Sequence, residues 1–191
     1  MRFALAPKLR WAWIPPMIGY AALGAVIAGV YGVIHDQVTY SISPEYFTKM
    51  KFIQFHYANF GFPRRVFVAE VGVLATWWVG FFGGWFMARI VVPVFEGAAR
   101  MTYILRGFAI MVAVAFLGSF TGYLLGLRRI NDPNMSNWTA YYSMGVSDLK
   151  SFVRVAYIHN ASYVGGLFGL LIALIWLWRA SRRALSRTPI Q

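Results

Sequence analysis

Five side chains in this sequence are of the types that bind metals or move protons: His35, Asp36, His56, Glu70 and His159. Imidazole nitrogens and carboxylate oxygens together suit zinc, copper, iron or manganese, and histidine also changes charge near neutral pH. The spacing carries no ligand motif. There is no H-E-x-x-H and no E-x-x-H, so the zincin and di-iron bundle signatures are absent. Cysteine is absent too, which excludes disulfides, thiolate metal sites and covalently attached haem. The default role for each histidine is a hydrogen-bonded residue at a membrane boundary.

The elements that must position these residues are apolar. The 191 residues are 59% hydrophobic and 13% charged, with a mean hydropathy of +0.56, whereas soluble domains are about one quarter charged. Four stretches, approximately 13–34, 66–88, 107–127 and 155–178, reach the roughly 20 residues that cross a hydrocarbon layer as a helix. The expected fold is all-α: residues 1–191 form a single membrane domain, a four-transmembrane-helix bundle. The first stretch is too long for a signal-peptide core and lacks an A-x-A cleavage site, so it is read as a permanent span.

The net charge of +12 points to lipid headgroups and not to nucleic acid, because the basic residues gather at span ends. Ten of the 18 lie in the two tails and the second connection: Arg2, Lys8, Arg10, Arg89, Arg100, Arg106, Arg179, Arg182, Arg183 and Arg187. That bias predicts both termini in the cytoplasm. Trp11, Trp13, Trp176 and Trp178 mark an aromatic belt on that side. Counting about 20 residues outward from Trp178 reaches His159. His35 and Asp36 end the first span at the same outer edge, and Glu70 lies about one turn inside the second. An acid there needs a partner; His159, Arg154, Arg64 and Arg65 are the candidates.

In the first outer loop Ser43 is an N-cap, Pro44 suits the first helical position, Glu45 favours the positive end of the dipole, and Gly61 with Pro63 is a stop. Tyr46, Met50, Ile53, Tyr57 and Phe60 recur at helical spacing, which predicts an amphipathic interfacial helix over 44–60 with Lys49 and Lys51 directed to headgroups. Phe47, Phe52 and Phe55 supply a second apolar face that could dock another subunit. Before the fourth span, Asn131 to Asn134 form a turn cluster, and Ser147 with Asp148 predicts a new helix start. A helix from there to Arg179 would run about 48 Å.

Small residues recur every four positions: Ala21, Ala25 and Gly29; Gly72, Thr76, Gly80 and Gly84; Gly118, Gly122 and Gly126; Gly165 and Gly169. Such ridges allow close helix approach in lipid, and they predict a tight bundle without a wide pore. Gly165 and Gly166 after His159 leave room for a flat haem or chlorin, a reading ranked below helix packing and below a first-row transition metal.

The stretch His35 to Lys49 (HDQVTYSISPEYFTK), continuing to Lys51 and Phe52, resembles a segment of an uncharacterised family of small bacterial multi-span inner-membrane proteins. The resemblance implies a bacterial inner-membrane location and carries no activity.

Three functions are compatible with these features. The leading expectation is a non-catalytic subunit or accessory protein that contacts lipids and other membrane subunits. The alternative is a metal-dependent membrane enzyme or redox protein built on the five-residue cluster. A small proton-coupled transporter centred on Glu70 ranks third.

Overall fold

The computed structural model describes residues 9–130 and 138–187; the basic residues Arg2 and Lys8 and the Asn131 to Asn134 turn lie outside them. Four long helices carry the fold: α1 (Ile14–Ile42), α4 (Arg64–Val91), α5 (Gly97–Arg129) and α7 (Leu149–Arg187). All four are long and apolar enough to cross a membrane, so this is a multi-pass membrane protein. Between α1 and α4 lie α2 (Pro44–Tyr46), a π turn (Phe47–Lys51), α3 (Phe52–Gln54) and a 3₁₀ turn (His56–Ala58); α6 (Ala140–Ser143) precedes α7. The described residues contain no strand.

The helices exceed the expected apolar limits, α5 by starting ten residues earlier at Gly97 and α1 by running on to Ile42. In α1 the polar stretch after His35 lowers hydropathy without breaking the backbone. Thr39 and Ser41 donate their hydroxyls to the carbonyls of His35 and Gln37, each at 3.0 Å, so these side chains are satisfied within the helix. His35 and Asp36 therefore lie about two turns inside α1 and do not end it.

Two antiparallel pairs, α1 with α4 and α5 with α7, form the bundle, and contact between the pairs is sparser. Each pair is closed by glycine. A Cβ at Gly24 would strike the Gly80 carbonyl, and one at Gly32 would strike that of Gly72. Thr76 of α4 donates to the Ala28 carbonyl of α1 at 2.7 Å. In the second pair, Gly118 and Gly122 face the Ala161 and Tyr157 carbonyls, and Gly169 faces that of Met111. The ridge on α1 is thus Gly24, Ala28 and Gly32, with the predicted Ala25 and Gly29 beside it. At the end where the chain termini lie, Met17, Met87, Ile104, Phe108, Met111 and Leu177 form an apolar core.

The opposite end is closed by a cap. Ser43 accepts the Tyr46 amide at 3.3 Å, as an N-cap should, and Gly61 takes φ 80° to end the segment. The predicted single helix over 44–60 is instead broken by the π turn and by Phe55 (φ −107°, ψ 23°). The wider π turn shifts the register so that Phe47, Lys51, Phe55 and Ala58 join Tyr46 on the inward face and Ile53, Tyr57 and Phe60 stay outside. The inward face docks on this chain's own bundle, among Val68, Phe152 and Val153. Lys51 is 5% exposed and donates to the Tyr163 hydroxyl at 3.0 Å, so it is not directed to headgroups.

Candidate functional site

Beneath the cap, where the two helix pairs meet, the interior turns polar. On α1, Tyr31, His35 and Thr39 follow one another at four-residue spacing and so share a face, with Asp36 alongside. His159, Ser162 and Tyr163 of α7 and Ser119 of α5 stand opposite. His159 and Asp36 are buried, at 1% and 3% exposure.

One donor atom from each of His35, Asp36 and His159 lies within 4.8 Å of the other two. The His159 Nε2 is 3.9 Å from Asp36 Oδ1 and 3.2 Å from Thr39 Oγ1. The two imidazoles meet edge to face, with centroids 4.7 Å apart. His35 Nδ1 lies 3.5 Å from Ser119 Oγ, which is 3.2 Å from the Tyr31 hydroxyl, and that hydroxyl reaches Ser162 at 2.8 Å. A connected set of polar side chains therefore links α1, α5 and α7 inside an apolar bundle.

The cap seals this set. The Tyr46 ring stacks on His159 with centroids 4.9 Å apart and planes at 19°, and Phe47 packs edge-on to the same imidazole at 6.0 Å. Lys51, held by Tyr163 one turn beyond His159, lies over the Phe55 and Tyr163 rings at 5.8 and 5.7 Å. Its charge reaches His35, Asp36 and His159 through the low-dielectric interior.

Of the five sequence candidates the fold gathers three. His56 is exposed in the cap's 3₁₀ turn and its Nδ1 meets the Ile53 carbonyl at 3.0 Å, a local contact. Glu70 lies outside the three-residue group. Three of its expected partners are engaged elsewhere: Arg65 binds Gln37 and Ser41, Arg154 lies over Tyr123, and His159 faces Asp36; the fourth, Arg64, is exposed. The Glu70 Oε2 is buried without a hydrogen bond.

Sequence reasoning missed Tyr31, Thr39, Ser119, Ser162, Tyr46, Lys51 and Tyr163. The four-residue polar recurrence from Tyr31 through His35 to Thr39 was the available signal; the inward turn of Lys51 had none. Of the two glycines that follow His159, Gly165 is packed against α5 backbone at Val114 and Ala115, whereas a Cβ at Gly166 would meet nothing within 4 Å. A small cation suits the donor set, which is two imidazoles and a carboxylate.

A second feature lies on the outer surface of the α1–α4 pair. An apolar groove of about 480 Å³ is lined by Ala25, Val26, Gly29, Val30, Val33, Ile34, Val73 and Trp77. It follows the Ala25 and Gly29 ridge that the internal seam leaves unused.

No family model, curated protein or solved structure matches this chain.

Proposed function

We propose that this chain is a non-catalytic integral subunit of a larger bacterial inner-membrane assembly, with both termini cytoplasmic, and that a partner's transmembrane helix seats in the groove beside Ala25 and Gly29. The groove is the observation that carries this reading. In lipid there is no hydrophobic drive between helices, so association relies on close packing over small residues. Here the internal α1–α4 seam already uses Gly24, Ala28 and Gly32. Ala25 and Gly29 form a second small-residue pair, one position round the helix, whose walls are exposed Val26, Val30, Ile34 and Trp77. Apolar walls over a glycine floor suit the side-chain ridge of a neighbouring helix. Within this reading the buried polar set beneath the cap holds the cap rigid through Tyr46 and Lys51.

Extraction in mild detergent, sizing and mass spectrometry test it. The expected result is a defined complex with a stoichiometric membrane partner. Gly29→Leu should release that partner while leaving thermal stability of the chain near wild type, because a Cβ there meets only Val73 at 3.7 Å, an ordinary contact. A lone monomer carrying only lipid acyl chains on this face would refute the proposal.

A further inference from the structure

We propose that His35, Asp36 and His159 bind one divalent first-row transition-metal ion beneath the cap. The hydrogen bonds around the three residues show what is missing there. Thr39 donates its hydroxyl hydrogen to the His35 carbonyl at 3.0 Å, so its oxygen accepts from His159 Nε2 at 3.2 Å. That assigns the proton of His159 to Nε2 and leaves a lone pair on Nδ1, which has no hydrogen-bond partner. With the Ser119 hydroxyl hydrogen on the Ala115 carbonyl at 3.1 Å, its oxygen accepts from His35 Nδ1 at 3.5 Å. The lone pair of His35 is then on Nε2, again without a partner.

Asp36 Oδ2 is the third such atom. Three buried electron-pair donors on neighbouring residues, and no proton donor for any of them, leave a demand that a cation meets. A purely structural polar cluster is ordinarily satisfied internally.

The geometry is close to that of a bound set. Nitrogen and oxygen ligands about 2.1 Å from a tetrahedral ion stand about 3.4 Å apart, so donors within 4.8 Å of one another need only small rotamer adjustments. His159 Nε2, the nitrogen 3.9 Å from Asp36 Oδ1, becomes a ligand once it releases Thr39 and its proton moves to Nδ1. Two imidazoles with one carboxylate and no sulfur select zinc, iron, manganese or copper over the alkaline earths and over soft-metal sites.

Lys51 is the charged group facing the cluster from the cap. Its ammonium is directed to Tyr163 and two rings, and the Asp36 carboxylate stands 3.9 Å from the neutral imidazole of His159. The lysine therefore opposes a dication without replacing it.

The test uses the full chain purified in mild detergent without chelator. Elemental analysis should find close to one transition-metal ion per chain. After stripping, Co²⁺ used as an optical probe should give ligand-field bands that Zn²⁺ displaces. Asp36→Asn keeps the side-chain volume and should weaken Co²⁺ binding at least tenfold, and His35→Gln provides the same reading if that variant does not fold. Lys51→Met should tighten binding about tenfold by removing the repulsion. Wild-type protein that is metal-free and gives neither Co²⁺ bands nor a Zn²⁺-dependent rise in Tm would overturn the site. So would undiminished binding in both Asp36→Asn and His35→Gln. Neither readout depends on whether a partner helix fills the groove.

Discussion

Glu45 caps α7 across 102 sequence positions: its carboxylate accepts the Ser147 amide at 3.1 Å, the Ser147 hydroxyl at 2.6 Å and the Asp148 amide at 2.8 Å. Asp148 then caps the helix locally by accepting the Ser151 amide at 3.0 Å. The first turn of the cap is thereby tied to the first turn of the longest helix. The Ser147 hydroxyl bond is the main reason the Glu45 carboxyl titrates below its ordinary value of 4.5. A lowered folded value means that the contribution is complete above the ordinary value and is lost as pH falls through the folded one. Glu45→Gln should cost about 0.5–1 kcal/mol at neutral pH, a figure already reduced for solvent screening. Hydrogen exchange at Ser147 and Asp148 should rise in the variant at pH 7. Acidifying the wild type through its lowered folded value should bring it to the same level, with little further change in the variant.

Tyr46 is the cap's anchor on the polar set. Its ring stacks on His159 and tilts against Phe152 at 5.2 Å, and burial raises the hydroxyl above the ordinary tyrosine range. Tyr46→Ala should remove about 2–4 kcal/mol of packing, felt first as release of the cap. Limited proteolysis between Phe52 and Phe62 should accelerate while the helical circular dichroism stays near wild type. An intact cap in that variant would mean that Phe47 and Lys51 suffice to hold it.

How the two pairs close yields a sharper contrast. A Cβ at Gly80 would strike the Gly24 carbonyl and the Ala28 methyl, whereas one at Gly19 meets nothing within 4 Å. Gly80→Ala should therefore force α1 and α4 apart and cost about 1–3 kcal/mol. Gly19→Ala should be neutral or gain about 0.5–1 kcal/mol from helix propensity. Thermal unfolding of both variants in one detergent separates the seam from the propensity effect.

The spans and three of the four small-residue ridges were legible in the sequence because hydropathy and four-residue spacing are local properties. The end of α1 was not, since Thr39 and Ser41 look like a polar exit and yet satisfy their hydroxyls on the helix itself. The two faces of the cap were exchanged in part. Even helical winding puts Tyr46, Met50, Ile53 and Tyr57 together, but a π turn over Phe47–Lys51 rotates Lys51 inward and Ile53 outward. Convergence of His35, Asp36 and His159 was readable only as a shared depth. Their meeting depends on the α1–α7 rotation, which is set by glycines on other faces. Glu45 was legible as a helix-terminal acid, though not as the cap of a helix a hundred residues away.

Arg100 is the counterpart of Glu45 at the other end of the bundle. From the first turn of α5 its guanidinium reaches back to the Phe95 carbonyl through Nε and to the Val92 carbonyl through Nη2, the latter at 3.1 Å. Both carbonyls lie at or just beyond the end of α4, where a cation also complements the helix dipole. Direct contact between α4 and α5 is otherwise sparse, so this turn is one of the links between the two pairs, and the Glu45 tie within the cap is another. Arg100→Ala should cost about 1–2 kcal/mol by leaving charge-assisted bonds unmade. Because the two links lie at opposite ends and share no partner, the double variant Glu45→Gln with Arg100→Ala should lose the sum of the single losses to within about 0.5 kcal/mol. Detergent unfolding curves for the four proteins of that cycle check it. A loss well beyond the sum would mean that the pairs are held mainly by their two ends and not by the Met17, Phe108 and Leu177 core between them.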